Sequence, residues 1–353
     1  MRIAVIAPVL RKISSKTAYG GIERIIKSLV IASTNAGHQV VLYAPFGSDL
    51  ENNNLEIRLT TDEDVFGRPD LIKQAEINLF QRIVDEQSEF DVIHSHIEPI
   101  IAASESGNYF SKITKPTVIT FHNQTHIKNN IDYYQSHPEI HNLKYIFISH
   151  DQSEPLNFLP NKTVIYNGIN LDGLTYNAIP NNNQLSFLGR ITPEKGIVEA
   201  IEIARLSNMK LLIAAAIDES QRDFYEIEVK PKIDNENIIF LGEVYDEGKN
   251  NLLKNSAAFL FPINWHEPFG LVLVEALATG TPVLANDIGS VKEIIEDGKT
   301  GYIIPITDGP EAYVEKIKKL KDIDRSYCRK VAEEKFDEKV MTANYLKYYE
   351  SVA

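Results

Sequence analysis

The chain has 353 residues, room for about two domains at roughly 150 residues each, and its 43% hydrophobic and 24% charged residues are those of a globular chain, not a disordered one. Its 49 acidic against 36 basic side chains leave a formal charge of −13, which excludes a general nucleic-acid binder and opposes anionic lipid unless basic residues are locally concentrated. A single cysteine, Cys328, excludes an internal disulfide framework and a cysteine-rich zinc site and fits a reducing cytoplasm.

The opening apolar run, 3–10, is too short to span a membrane and leads into the polar stretch RKISSKT without a small-residue cleavage site. It reads as a first buried strand. Further strands are expected at 40–44, 91–94, 117–121, 145–148 and 163–166, after the first at 3–9. Their continuous Val, Ile and aromatic content suits strands covered on both faces of a parallel sheet. Helices are expected over 21–36, with Ile22, Ile25, Ile26, Leu29 and Val30 on one face and Gly37 as the stop, and over 70–87. The alternation then restarts: strands at 185–188, 211–215, 238–241, 258–262, 282–285 and 302–305, with helices at 198–206, 269–278 and 311–320. Two such series imply two doubly wound α/β domains, with the break in the NGIN and PNNN stretch, 167–183. The segment 337–349 reads as a terminal helix. No later segment approaches 18 unbroken apolar residues, so stable membrane insertion is not expected.

Four motifs carry candidate chemistry. In HEPFGLVLVEALATGTPV, 266–283, Pro268 suits a first helical turn, and Gly270 clears space for a ligand beside the backbone. The amides of Phe269, Gly270 and Leu271 then become the donors of a helix N-terminus, a natural phosphate site. Glu267 precedes that helix, and Glu275 stands nearly two turns in, where it can accept from a ribose diol. The plain alternative is a capped amphipathic helix. In FLGRITPEKG, 187–196, Arg190 and Lys195 occupy a strand-to-helix loop where a doubly wound sheet opens its ligand crevice, and both cations suit a leaving diphosphate. In TAYGGIER, 17–24, Gly20 and Gly21 can line a helix tip facing a phosphate or sugar, although the pattern is not G-x-G-x-x-G. Finally His94 and His96 (VIHSH) and His122 (TFHNQTH) follow two successive strands, at sheet C-terminal ends expected to face the crevice. His96 and His122 are placed to bond a sugar hydroxyl or to share a proton. Three histidines alone lack the partners of a zinc site, so no metal is expected.

Other patterns are set aside. Asp62, Glu63 and Asp64 fall in a polar loop with no preceding strand, Asp322 and Asp324 bracket a helix-to-helix turn, and Gly298-Lys299-Thr300 lacks a P-loop glycine because position 293 is Glu293. Arg11, Lys12 and Lys16 make one loop locally basic, able to meet an acidic acceptor or lipid head.

Taken together, APVL with YGGIER, VIHSH, TFH, ISHDQ, YNGI, FLGRITPEKG and the FP-x-x-W-x-EPFGLV block resemble the retaining glycosyltransferases of family 4 over nearly the whole chain. The resemblance implies the GT-B fold, two doubly wound Rossmann-like domains facing across a cleft. An acceptor-side domain of 1–168 would be joined to a nucleotide-sugar domain of 169–336, with a helix over 337–353 packing back on the first. By position, Arg190 and Lys195 would bind the diphosphate. Glu267 and the amides of Phe269, Gly270 and Leu271 would hold the sugar hydroxyls and distal phosphate, and Glu275 the ribose. Gly20 and Gly21 would close over the diphosphate, His122 would sit beside the transferred sugar, and Asn167 and Gly168 would act as hinge. Ala214, Ala215 and Ala216 stand where relatives often carry Lys or Gly, which leaves the base open.

The implied reaction moves a sugar from a nucleotide-diphosphate sugar to an acceptor hydroxyl with retention, by same-face attack in which the leaving phosphate takes the acceptor's proton. Fixed positive charge would make Mg²⁺ unnecessary. The catalytic candidates are His96, His122 and Glu267. The donor is a substrate, not a cofactor. The acceptor, whether carbohydrate, lipid-linked or small molecule, is not fixed by these residues. The rival readings are a GT-B epimerase or hydrolase of the donor and a non-catalytic nucleotide-sugar sensor.

Overall fold

Short apolar runs separated by helices leave the backbone one economical solution, strands side by side with helices over both faces. The structure, a computed structural model, describes residues 1–15, 20–104, 107–180 and 183–353, and for 101–104 and 107–108 the backbone alone. Lys16 and 17–19 of the expected glycine motif, and 181–182 of the expected break, lie outside the described residues.

The chain divides into two units, Met1–Gly168 with Glu338–Ala353, and Ile169–Asp337. The first holds a seven-stranded sheet of β1 (Arg2–Ile6), β2 (Gln39–Ala44), β3 (Leu55–Leu59), β4 (Val92–Ser95), β5 (Thr117–Thr120), β6 (Lys144–Phe147) and β7 (Lys162–Val164). Its order is β3-β2-β1-β4-β5-β6-β7 and every pairing is parallel. The order reverses between β1 and β4, and ligand crevices of open α/β sheets form at such a switch point, beyond the strands' C-terminal ends. Helix α1 (Gly21–Asn35) follows β1 and buries Ile25, Ile26, Leu29 and Val30; α2 (Pro69–Glu86) precedes β4 and buries Leu79, Phe80 and Ile83.

The second unit repeats the plan with β8 (Gln184–Arg190), β9 (Lys210–Ala216), β10 (Ile238–Gly242), β11 (Ala258–Phe261), β12 (Val283–Asn286) and β13 (Gly301–Ile304). These six strands are parallel in the order β10-β9-β8-β11-β12-β13, so the switch point falls between β8 and β11. A short helix of the first unit, α3 (Gln124–Asn129), precedes α4 (Ile197–Ser207), α5 (Asp246–Asn255), α6 (Leu271–Ala278), α7 (Gly309–Ile317) and α8 (Arg325–Phe336). The last helix, α9 (Glu338–Val352), belongs to the first unit. It buries Met341, Tyr345 and Tyr349 at helical spacing, and its first residue, Glu338, accepts from the Ser28 hydroxyl of α1 at 2.5 Å.

Besides the short α3, three longer elements go beyond the sequence reading. Strand β3 alternates Leu55, Glu56, Ile57, Arg58 and Leu59 because it is an edge strand, paired only with β2 and half exposed. Helix α5 is mostly polar, with Leu252 and Leu253 as its buried apolar residues, and α8 was not anticipated beyond the turn at Asp324, whose carboxylate caps it. Among the described residues, no helix is long and apolar enough to cross a membrane.

Candidate functional site

In the second unit the two loops at the switch point are the two that carry the motifs. The first leaves β8 at Arg190 and reaches α4 through Lys195 and Gly196; the second leaves β11 and reaches α6 through 262–270. Gly196 has φ of 71°, and a Cβ there would lie 2.0 Å from the Pro262 carbonyl oxygen. The missing side chain therefore lets the two loops touch.

That contact brings Lys195 and Glu267 together. The Lys195 ammonium lies 2.5 Å from Glu267 Oε2, and the Trp265 indole N–H donates to the same oxygen at 3.1 Å. Lys195 also sits 4.7 Å from the centre of the Trp265 ring, a cation–π distance. Both side chains of the ion pair are largely buried. Two residues expected to meet a diphosphate and its sugar are thus held against each other, with Trp265 as a third member that sequence reasoning passed over. Its place in the W-x-E spacing was the available clue. Arg190 is more open: its side chain is 49% exposed and 3.9 Å from the Asp218 carboxylate.

The expected helix start at Phe269 is corrected. Gly270 takes φ of 86° and caps α6, so the helix begins at Leu271 and the Pro268-Phe269-Gly270 segment is a turn before it. Pro268 is therefore not a first-turn residue, and the amides of Phe269 and Gly270 lie outside the helix. The Phe269 side chain is core, its ring 5.9 Å from that of Phe336, and its carbonyl accepts from Ser290 Oγ at 2.6 Å. Leu271 opens the helix, where first-turn amides have no partner within the helix itself. Glu275 is buried and lies 2.6 Å from the Lys249 ammonium on α5. Lys249 carries no motif and was not anticipated; its polar helix hid it. Ala214, Ala215 and Ala216 close β9 beside Leu188, Gly189 and Arg190 of β8.

In the first unit, Gly20 caps α1 and Gly21 is its first residue. Glu23 in that first turn is partly buried, and desolvation raises its pKa although its own backbone N–H donates to it. A carboxylate thus already stands at the helix tip, where negative charge is favoured.

The histidines divide into two roles. His94, expected to face the crevice, is fully buried in the core instead. It bonds Thr120 Oγ1 at 2.8 Å and the Tyr349 hydroxyl of α9 at 2.5 Å, and burial pushes its pKa down to about 3. The C-terminal helix covers it, which no local pattern reveals. His96 and His122 do meet, His96 Nδ1 to His122 Nε2 at 2.8 Å. Burial lowers both, His122 to about 4, so the pair is neutral near pH 7 and shares one proton across that bond. His96 Nε2 is buried without a hydrogen-bond partner among the described residues. Nearby in sequence, the buried Glu98 carboxylate lies 3.2 Å from Nδ1 of the half-exposed His126 and raises its pKa. Among the described residues no group of three or more His, Cys, Asp or Glu is arranged to hold a metal ion.

Residues 19–172 match the model of Glycosyltransferase Family 4 and residues 176–336 that of glycosyl transferases group 1. An uncharacterized 41.2 kDa protein in the cps region of Klebsiella pneumoniae is 29% identical over 206 residues, 53% of this chain, and the match spans only about half, 54%, of that protein's length. The phosphatidyl-myo-inositol mannosyltransferase of Mycobacterium leprae is 29% identical over 293 residues, covering 75% of this chain and 74% of the relative. Anabaena HepE, solved in complex with UDP and glucose, superimposes with a TM-score of 0.72 at 17% identity, over 99% of this chain and 100% of that one. With both halves of the chain matched in order by these two models, the chain belongs to the family 4 glycosyltransferases.

Proposed function

We propose that this protein transfers a sugar from a nucleotide-diphosphate sugar to an acceptor hydroxyl with retention of configuration and without a metal ion. The observation that carries this reading is the convergence of Lys195 and Glu267 at the switch point of the second unit. A cation there meets the negative charge that grows on a departing diphosphate, and a carboxylate beside it can accept from sugar hydroxyls. Arg190, at the end of β8, adds a second cation, and the α6 tip at Leu271 adds oriented amides. Glu275 stands on the same helix for the ribose. In the first unit His96 and His122, neutral and hydrogen-bonded, suit contact with a neutral sugar better than with phosphate. The fixed cations do the work a divalent ion does elsewhere, and the leaving phosphate takes the acceptor's proton.

Support from similar proteins is of two kinds. One relative is named a mannosyltransferase, and one neighbour was solved with UDP and glucose. A hexose on a nucleoside diphosphate is therefore the donor class to test first.

A thermal-shift panel of UDP-, GDP-, ADP- and dTDP-sugars tests the reading. A true donor at 100 times its Kd should stabilise by about 2.7 kcal/mol. Lys195→Ala should remove that shift, read against the variant's own unliganded melting profile, which loses the buried partner of Glu267. A panel with no stabilising member, or a shift that survives Lys195→Ala, overturns the assignment.

A further inference from the structure

The loop that carries Glu267 is gripped by a second segment besides the Lys195 loop. Strand β12 ends at Asn286, and the turn 286–290 that follows lies against the loop 262–270. Three carbonyls of that loop accept from this one short segment. Asn286 Nδ2 donates to Ile263 at 2.9 Å, Ser290 N–H to Glu267 at 3.1 Å and Ser290 Oγ to Phe269 at 2.6 Å. Asn286 is aimed in turn by Tyr313 of α7, whose hydroxyl donates to its Oδ1 at 2.8 Å and so leaves the amide nitrogen to face Ile263. Gly289 makes the approach possible. Its φ is 62°, and a Cβ there would lie 2.7 Å from the Glu267 nitrogen and 2.8 Å from its carbonyl oxygen. Asn286, Ser290 and Tyr313 are all buried, where a satisfied polar network fixes one arrangement.

Glu267 therefore has two supports of different kinds. Its carboxylate leans on Lys195 and Trp265, and a diphosphate arriving at the ammonium takes the first of these away. Its backbone leans on Ser290, where no ligand charge competes. By bonding the carbonyls of 267 and 269, Ser290 clamps both ends of the turn through Pro268, just before α6 begins at Leu271. A side chain that works on a reacting group must be held to within about 0.5 Å, by neighbours that are themselves locked.

Resting on the donor reading above, we propose that Ser290 is the positioning residue of Glu267. It keeps the carboxylate in register for the sugar once the diphosphate has claimed Lys195, and Gly289 and the Tyr313–Asn286 pair complete the mould. Ser290 acts through Glu267 and is not itself a catalytic residue.

Trp265 reports on this directly, being the only tryptophan in the chain and bonded to Glu267. Acrylamide quenching of its fluorescence in the folded full chain, well below melting, should rise about twofold in Ser290→Ala and in the same direction in Tyr313→Phe. Ser256→Ala deletes another buried hydroxyl, one that donates to the Leu252 carbonyl at the end of α5, and should leave the quenching unchanged. Titration calorimetry with UDP and UDP-glucose, and with GDP and GDP-mannose, reads the functional side. Ser290→Ala should bind the nucleoside diphosphate within threefold of wild type, because Arg190 and Lys195 stand on the other loop, yet bind the matching nucleotide-sugar at least fivefold more weakly. Unchanged Trp265 quenching in Ser290→Ala overturns the proposal. So does a rise matched by Ser256→Ala, which would mark general loosening. A loosened loop with wild-type affinity for the nucleotide-sugar overturns it too, since the hydroxyl would then serve the fold alone. Wild type that binds neither diphosphate sinks the donor reading instead, and the fluorescence comparison then decides by itself whether Ser290 holds Glu267.

Discussion

Tyr349 hydrogen-bonds His94 at 2.5 Å across 255 positions of sequence, joining the last helix to the middle of the first sheet. Both are fully buried, and His94 also holds Thr120. Tyr349→Phe keeps the ring and deletes one hydroxyl, leaving His94 Nδ1 without that partner in a dry core. Such a loss costs roughly 1–3 kcal/mol. Urea denaturation should show that drop with little change in its slope. A midpoint equal to wild type would mean the bond contributes nothing.

Glu267 occupies the ammonium that the proposed mechanism reserves for a diphosphate. Glu267→Gln should therefore move two observables in opposite directions. UDP should bind as tightly as to wild type or tighter, because no carboxylate competes for Lys195. Sugar transfer should fall by about 10²–10³, the usual loss of one preorganised group. Weaker UDP binding and unimpaired transfer would reverse the roles given to the two residues.

Glu275 is 4% exposed and lies 2.6 Å from the Lys249 ammonium. Lys249→Met should destabilise the second unit by roughly 3 kcal/mol, since removing one member of a buried ion pair is far costlier than removing both. Adding Glu275→Gln should restore part of it. The comparison is made by chemical denaturation of the single and double variants, and a double variant worse than the single would contradict the pairing.

Acid should unfold the protein early. His94 and His122 titrate near 3 and 4 in the folded state and His96 well below its usual value, while the unfolded chain takes up these protons near 6.5. Their folded pKa values are depressed, so the stability they confer is present above pH 6.5 and lost as pH falls. Each contributes about 1–2 kcal/mol between pH 7 and 5. His126 runs the other way: raised by Glu98, its contribution is complete below pH 6.5 and fades as pH rises. Urea midpoints should fall steeply from pH 7 to 5, less so in His122→Gln. A flat profile would show the histidines open to solvent.

Much of the fold was legible because both sheets are parallel. A strand covered on both faces is apolar almost throughout, so Ala258–Phe261 and the run 40–44 stand out from their polar neighbours. The same topology sends every motif loop to one end of its sheet, so Lys195 and Glu267 were placed as candidates before their contact was known. The contact itself was not legible, because it depends on Gly196 lying against Pro262, a pairing between separate loops. Edge strand β3 and polar helix α5 were missed for a common reason: each buries too little to mark its period. His94 looked like its neighbour His96 because only the arrival of α9 tells a covered imidazole from an open one.

That arrival has a consequence for biosynthesis. A ribosome reads the segment Ile169–Asp337 in full before it reaches Glu338, so the later-made unit has all its residues while the earlier one still waits for its closing helix. A chain ended at Asp337 and released from the ribosome should hold a finished second unit and a first in which His94 is still bare to water.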